Sequence, residues 1–192
     1  MLRYVSRWEP DGVGRLQAAA FELFAEQGFE RTTVAEIAER AGLTKRTFFN
    51  HFADKREVLF GPLTRHQQEM VAGEITRSDA ELPPLDAVVR ALQAAADDIF
   101  EGRRDAVMRR REIIEANPEL RERELSKRAA LTDAIAAALR ERGLDFDAAL
   151  LTARTGMLVQ QTAMQRWATG AEDRPLRELL SDALLSLRGV VS

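Results

Sequence analysis

Apolar residues recur at three- and four-residue spacing along nearly the whole of this 192-residue chain, and nowhere is a β-branched alternation sustained. A chain patterned in this way buries its apolar stripes by packing helix on helix, so the fold class is all-α. Glycines, prolines and capping residues divide the pattern into about nine helices. The first spans residues 11–27, with Leu16, Ala19, Ala20, Leu23 and Phe24 on one face and Gly28 as its stop. The second opens at Thr33, where Glu36 three residues on completes a capping box, and it ends before Gly42. A short third begins with Thr44 as N-cap and contains Phe48, Phe49 and Asn50. The fourth starts at Asp54, with Glu57 repeating the capping arrangement, and continues to about Thr76. After a linker over 78–84 the spacing predicts helices over 85–101, 104–116, 118–142, 147–168 and 175–190. The break at Asn117 reads equally as a kink within one helix.

Composition removes several function classes. With no Cys, and with His51 and His66 as the two histidines, a disulfide framework, a thiolate nucleophile and a histidine metal site are all out of reach. Neither a glycine-rich phosphate loop nor a carboxylate–histidine repeat is present, so the expectation is a non-enzyme without a cofactor. No apolar run approaches the roughly 18 to 20 residues that a membrane span needs, and residues 1–10 lack the apolar stretch of a signal peptide. The expectation is therefore a cytoplasmic protein with no membrane partner. The net charge of −3 is unevenly spread: residues 1–60 hold nine basic and nine acidic residues, which leaves the acidity to the remainder. Lys45, Arg46, His51, Lys55 and Arg56 fall within twelve residues whose one acid is Asp54, a local basic patch.

The patch lies in a recognisable setting. A helix-turn-helix needs a small residue where its helices touch, a glycine at the turn and flanking apolar residues to fix their crossing. Ala38, Gly42, Ile37, Leu43 and Phe48 stand at suitable positions for these roles. The longer run within residues 21–59, carrying Phe24, Gly28, Phe29, Thr32, Thr33, Val34, Ile37, Ala38, Ala41 to Thr44, Thr47 to Phe49, His51, Phe52, Lys55, Val58 and Leu59, resembles the TetR family of bacterial repressors. The likeness covers about residues 14–60. Residues 1–10 read as a flexible arm, and the likeness implies a DNA-binding head over 11–55 and a ligand-binding and dimerisation domain over 56–192. It further implies that the second helix crosses the DNA backbone, the third lies in the major groove and the fourth links the head to the effector domain.

Residue roles follow from position and from that resemblance. Thr33 and Thr44, at helix N-termini, suit a phosphate, and they serve equally as plain N-caps. Lys45, Arg46, Thr47 and Asn50 fall on the exposed side of the third helix, where Arg or Lys addresses guanine and Asn addresses adenine. The family usually has Tyr, a variable residue and then His or Tyr where this chain has Phe49, Asn50 and His51. Phe49 lacks a hydroxyl for a phosphate and suits a sugar or a thymine methyl instead. His51 and Lys55 resemble the family's phosphate contacts.

For the second half, the resemblance implies an apolar ligand pocket and dimerisation through the last two long helices. Phe100, Met108, Met157, Gln161 and Met164, on central helices, are the pocket candidates, and each is equally a core position. The segment over 110–123 also resembles that of actinobacterial regulators associated with acyl-CoA ligands, which implies an amphipathic or acyl effector. The expected partners are thus double-stranded DNA bearing a palindromic operator, a second copy of the chain and a small molecule. The competing reading is a helical interaction protein or ligand carrier whose hairpin docks a protein. Salt separates the two, because phosphate neutralisation makes DNA affinity fall steeply with ionic strength.

Overall fold

The computed structural model describes residues 12–169 and 174–191, and all of their regular elements are helical, as the periodicity requires. They are α1 (Gly12–Gln27), α2 (Val34–Arg40), α3 (Lys45–His51), α4 (Glu57–Arg77), α5 (Pro84–Ala95), α6 (Arg104–Ala116), α7 (Pro118–Glu141), α8 (Phe146–Thr169) and α9 (Leu176–Val191). The arm expected at 1–10 lies outside the described residues.

Two compact units divide the chain. The first comprises the described residues up to Gly61 together with Arg109–Leu120. Its core is built from Leu16, Leu23 and Phe24 of α1, Ile37 of α2, Phe48 of α3 and Val58 and Phe60 of α4, with Ile114 and Leu120 contributed from far along the chain. The second unit comprises Pro62–Met108 and the residues from Arg121 onward. Here α5 buries Ala87, Val88, Val89, Ala91, Leu92 and Ala95, packed with Ala149, Ala153 and Met157 of α8 and Leu179, Leu180 and Ala183 of α9. α4 adds Val71 and Ile75, and the second half of α7 adds Leu131, Ile135 and Leu139.

Close approach of α5 and α8 depends on Gly156. A Cβ there would lie 2.4 Å from Val88 Cγ1, so no alanine fits without movement. Gly156→Ala is expected to cost roughly 1–3 kcal/mol of stability by overpacking, read as a lowered denaturant midpoint. Val88→Ala should recover part of that loss in the double variant, and strictly additive losses would show that the two groups do not meet.

Two expected helices are corrected. The span over 85–101 is not one helix, because α5 ends at Ala95 and a five-residue π-helical turn, Ala96–Phe100, follows. Ala96 and Ile99 are buried while Asp97 and Asp98 face outward, Asp97 to Arg177 at 2.7 Å and Asp98 to His66 at 2.9 Å. The fourth helix is not continuous either: Gly61 sits at φ 36°, ψ −158°, far from helical values, and separates a single first turn from the long remainder. At Asn117 the chain does break, and the Asn117 side-chain Nδ2 donates to the Ile113 carbonyl at 2.6 Å, closing α6 before Pro118 starts α7.

Candidate DNA-binding site

α2 and α3 are each seven residues long, too short to persist alone, and side chains at their ends hold them. Thr33 Oγ1 accepts the Glu36 amide at 3.3 Å while Glu36 Oε2 accepts the Thr33 amide at 2.8 Å, a reciprocal capping box. The Thr33 hydroxyl, and after it the Thr33 backbone amide, hold the half-buried Glu36 carboxyl below the usual carboxylate range. Thr44 Oγ1 accepts the Thr47 amide at 3.1 Å and caps α3. Between them Gly42, at φ 66°, closes α2 with paired bonds, its own amide to Glu39 O and the Leu43 amide to Ala38 O. A Cβ on Gly42 would also lie 2.7 Å from the Arg15 guanidinium, which donates to the Ala41 and Gly42 carbonyls. α2 is held to α1 by Arg40, which pairs with Glu26 at 2.9 Å and Glu22 at 3.2 Å.

α3 has two distinct faces. Phe48 is fully buried, with its ring centroid 5.3 Å from that of Phe52. Lys45, Arg46, Phe49 and Asn50, at positions i, i+1, i+4 and i+5, are exposed together on another side. Phe49 is 56% exposed, an aromatic ring left in water beside two cations. Thr47 is half-buried and its hydroxyl lies 2.9 Å from that of Thr44. His51 is exposed at the end of α3, near the start of α1.

Two of the phosphate candidates have local partners. The Thr33 hydroxyl donates to Glu36 Oε2 at 2.7 Å, so it serves its own helix turn. Lys55 Nζ donates to the Phe29 carbonyl at 2.6 Å, reaches the Glu30 carbonyl at 3.4 Å and lies 4.1 Å over the Phe29 ring. Lys55 therefore clamps the loop that leads into α2. Asp54 accepts the Glu57 amide at 3.1 Å at the start of α4 and pairs with Arg56 at 2.9 Å. Partial burial alone would raise the Asp54 carboxyl, but Arg56 and these amides outweigh it and hold it below its ordinary value.

The five pocket candidates differ in burial. Met157 is buried in the core of the second unit, Phe100 and Met164 pack against that core, Met108 is half-buried and Gln161 is exposed. A cleft of about 430 Å³ lies instead between α5 and α9, lined by Leu82, Asp86, Val89, Arg90, Arg177 and Leu185 among others. None of the five candidates lines it. Sequence reading also passed over Gln17 and Arg110, which donate to the Val58 and Leu59 carbonyls at 3.1 and 2.7 Å. The Gly61-Pro62 pair inside a helical pattern was the available signal that those carbonyls would need outside donors.

Residues 16–60 match the family described as bacterial regulatory proteins, tetR family, and residues 82–192 match the MftR C-terminal domain. The chain belongs to the TetR family. Its relatives are named as HTH-type transcriptional regulators. It is 33% identical over 134 residues to the HTH-type transcriptional regulator TcmR of Streptomyces glaucescens, 67% of this chain and 59% of that one, so the match spans less than two thirds of TcmR. It is 30% identical over 151 residues to MftR of Mycobacterium tuberculosis, 77% of this chain and 75% of that one. Among solved structures it is similar to Thermus thermophilus FadR, a TetR family transcriptional repressor in complex with lauroyl-CoA, at TM-score 0.52 and 27% identity, covering 90% of this chain and 91% of that one. Among the described residues no helix is long and apolar enough to cross a membrane, and no group of three or more His, Cys, Asp or Glu could hold a metal ion.

Proposed function

We infer that this regulator acts in the cytoplasm as a repressor, bound as a homodimer to a palindromic operator and released by a small molecule. Residues 11–55 form the DNA-reading head, and residues 56–192 bind the effector and dimerise. The observation that carries the reading is the exposed face of α3: two cations, an amide and an aromatic ring held outward by the burial of Phe48. Arg46 and Lys45 address guanine, Asn50 addresses adenine and Phe49 meets a sugar or thymine methyl. Thr44, Thr47 and His51 set the register on the backbone. Thr33 and Lys55 reach phosphate only by sharing or exchanging their present partners, and Lys55 has a third ammonium proton for that purpose.

Dimerisation is supported by Leu151 and Leu158 of α8 and Leu185 of α9, which are 64%, 53% and 64% exposed. An acyl or other amphipathic effector is supported by the lauroyl-CoA complex of T. thermophilus FadR and by the segment over 110–123. Phe100, Met108, Met157, Gln161 and Met164 line the effector site, which opens on binding. The effector favours a state in which α4 moves the recognition helices off the ~34–36 Å spacing of successive major grooves.

Selection of bound sequences from a random duplex library at two salt concentrations tests the reading. A palindrome whose affinity falls steeply with salt supports it, and a folded protein that enriches no site at low salt sinks it. On the selected site, Arg46→Ala is expected to lower specific affinity about 5- to 150-fold while non-specific binding changes little. Lys55→Ala should weaken both kinds of binding alike and also lower the melting temperature, because it frees the Phe29 and Glu30 carbonyls. Equal losses on both kinds of DNA from Arg46→Ala would remove it from the base readers.

A further inference from the structure

The turn between α2 and α3 presents two carbonyls, those of Ala41 and Gly42, to which no backbone amide donates among the described residues. The Ala41, Gly42 and Leu43 amides close α2 onto Ile37 O, Glu39 O and Ala38 O, and the chain enters α3 through the Thr44 cap. Arg15 of α1 supplies the missing donor: its guanidinium donates to Ala41 O at 2.5 Å and to Gly42 O at 3.4 Å. Bare Gly42 leaves it room, since a Cβ there would stand 2.7 Å from the same nitrogen. The cation also meets the negative end of α2. Arg15, the turn and α3 all belong to the first compact unit.

α1 thus holds the α2–α3 hairpin at two places. Near its start Arg15 grips the turn, and farther along Glu22 and Glu26 pair with Arg40 of α2 at 3.2 and 2.9 Å. These carboxylates stand seven and eleven residues after Arg15, about 10 and 16 Å along a helix axis. Two attachments that far apart fix how the hairpin is rotated on α1, whereas apolar burial is non-directional and a single attachment leaves a pivot. Gly42 lies two residues before the Thr44 cap, and Lys45 and Arg46 follow that cap directly, so a shift of the turn carries the start of α3 with it. Hydrogen bonds to base edges tolerate a misplacement of only about half an ångström, while a cation near a phosphate acts as a point charge. We propose that Arg15 is a positioning residue for base recognition: through Ala41 O and Gly42 O it sets where α3 begins, and so how well the protein tells one duplex sequence from another, without itself contacting DNA. This deepens the regulator reading and rests on it.

Affinities of the full-length protein for the selected duplex and for a non-specific duplex, each over a salt series and well below the melting temperature, test the proposal. R15A should lower the ratio of specific to non-specific affinity about tenfold or more, with non-specific affinity within about twofold of wild type and its salt slope unchanged. R15K keeps the charge but is one bond shorter, and should fall between the two at a loss of about threefold. It is also the deciding variant if R15A does not fold. A folded R15A, or failing that R15K, that discriminates as well as wild type would overturn the proposal, because a side chain that only adds stability moves the melting temperature and leaves the ratio alone. Equal losses on both duplexes, with the salt slope lowered by about one, would overturn it too, since that is the mark of a phosphate contact. If the wild-type protein itself prefers no duplex, the regulator reading falls and takes the proposal with it. Discrimination by wild type and R15A alike removes the proposal alone.

Discussion

Replacing Leu151 and Leu158 together by Asp should convert the proposed homodimer to a monomer and lower operator affinity by on the order of a hundredfold or more, with the helical signal intact. Both side chains lie on α8 seven residues apart, two turns along one face, and both are more than half exposed, as is Leu185 of α9. Apolar side chains of this size at helical spacing on one face suit a partner helix that covers them. Carboxylates there cost the single protomer little, because nothing in it packs over them, yet they must be desolvated wherever two copies meet. The expected loss on DNA is large because two linked heads of the proposed homodimer would bind a two-part site with an avidity that one head lacks, typically about 10²- to 10⁴-fold. Sedimentation and operator titration would read both effects. A variant that stays dimeric would place the interface on another face.

Phe48→Ala is expected to lower the stability of the first compact unit by about 3–5 kcal/mol. Phe48 is fully buried against Phe52 and the apolar faces of α1 and α2, and its truncation leaves a cavity in a small core. Its neighbour Phe49 makes the control. Phe49 is exposed and meets Phe48 edge-on at a centroid separation of 5.5 Å, so Phe49→Ala should change stability by less than about 1 kcal/mol. The same change should weaken DNA binding if the ring meets a sugar or a thymine methyl. Because the chain has two compact units, unfolding should be followed by amide exchange as well as circular dichroism, so that loss of the head registers separately. A Phe48→Ala loss near that of Phe49→Ala would mean that the head draws its stability from elsewhere.

The adjacent phenylalanines show how far a sequence carries. Their opposite fates follow from helical period alone once Thr44 is read as the N-cap, and the caps at Thr33 and Thr44, the turn at Gly42 and the all-α class were legible for the same reason. Each depends on partners within about five residues, so the pattern that specifies it is local. The TetR likeness was legible because the whole head repeats such local signals in one order.

Tertiary structure decided the features whose partners are distant in sequence. Lys55 finds the Phe29 and Glu30 carbonyls 26 and 25 residues away, Gln17 finds Val58 O at 41 and Arg110 finds Leu59 O at 51. Gly61-Pro62 announced a break but not what would satisfy it. The inclusion of Ile114 and Leu120 in the core of the head, and the cleft between α5 and α9 that none of the expected pocket residues lines, belong to the same class. An orphaned carbonyl or an uncovered apolar face constrains only that something must cover it. Which side chain does so is fixed when the helices pack, and no period of 3.6 residues encodes that choice.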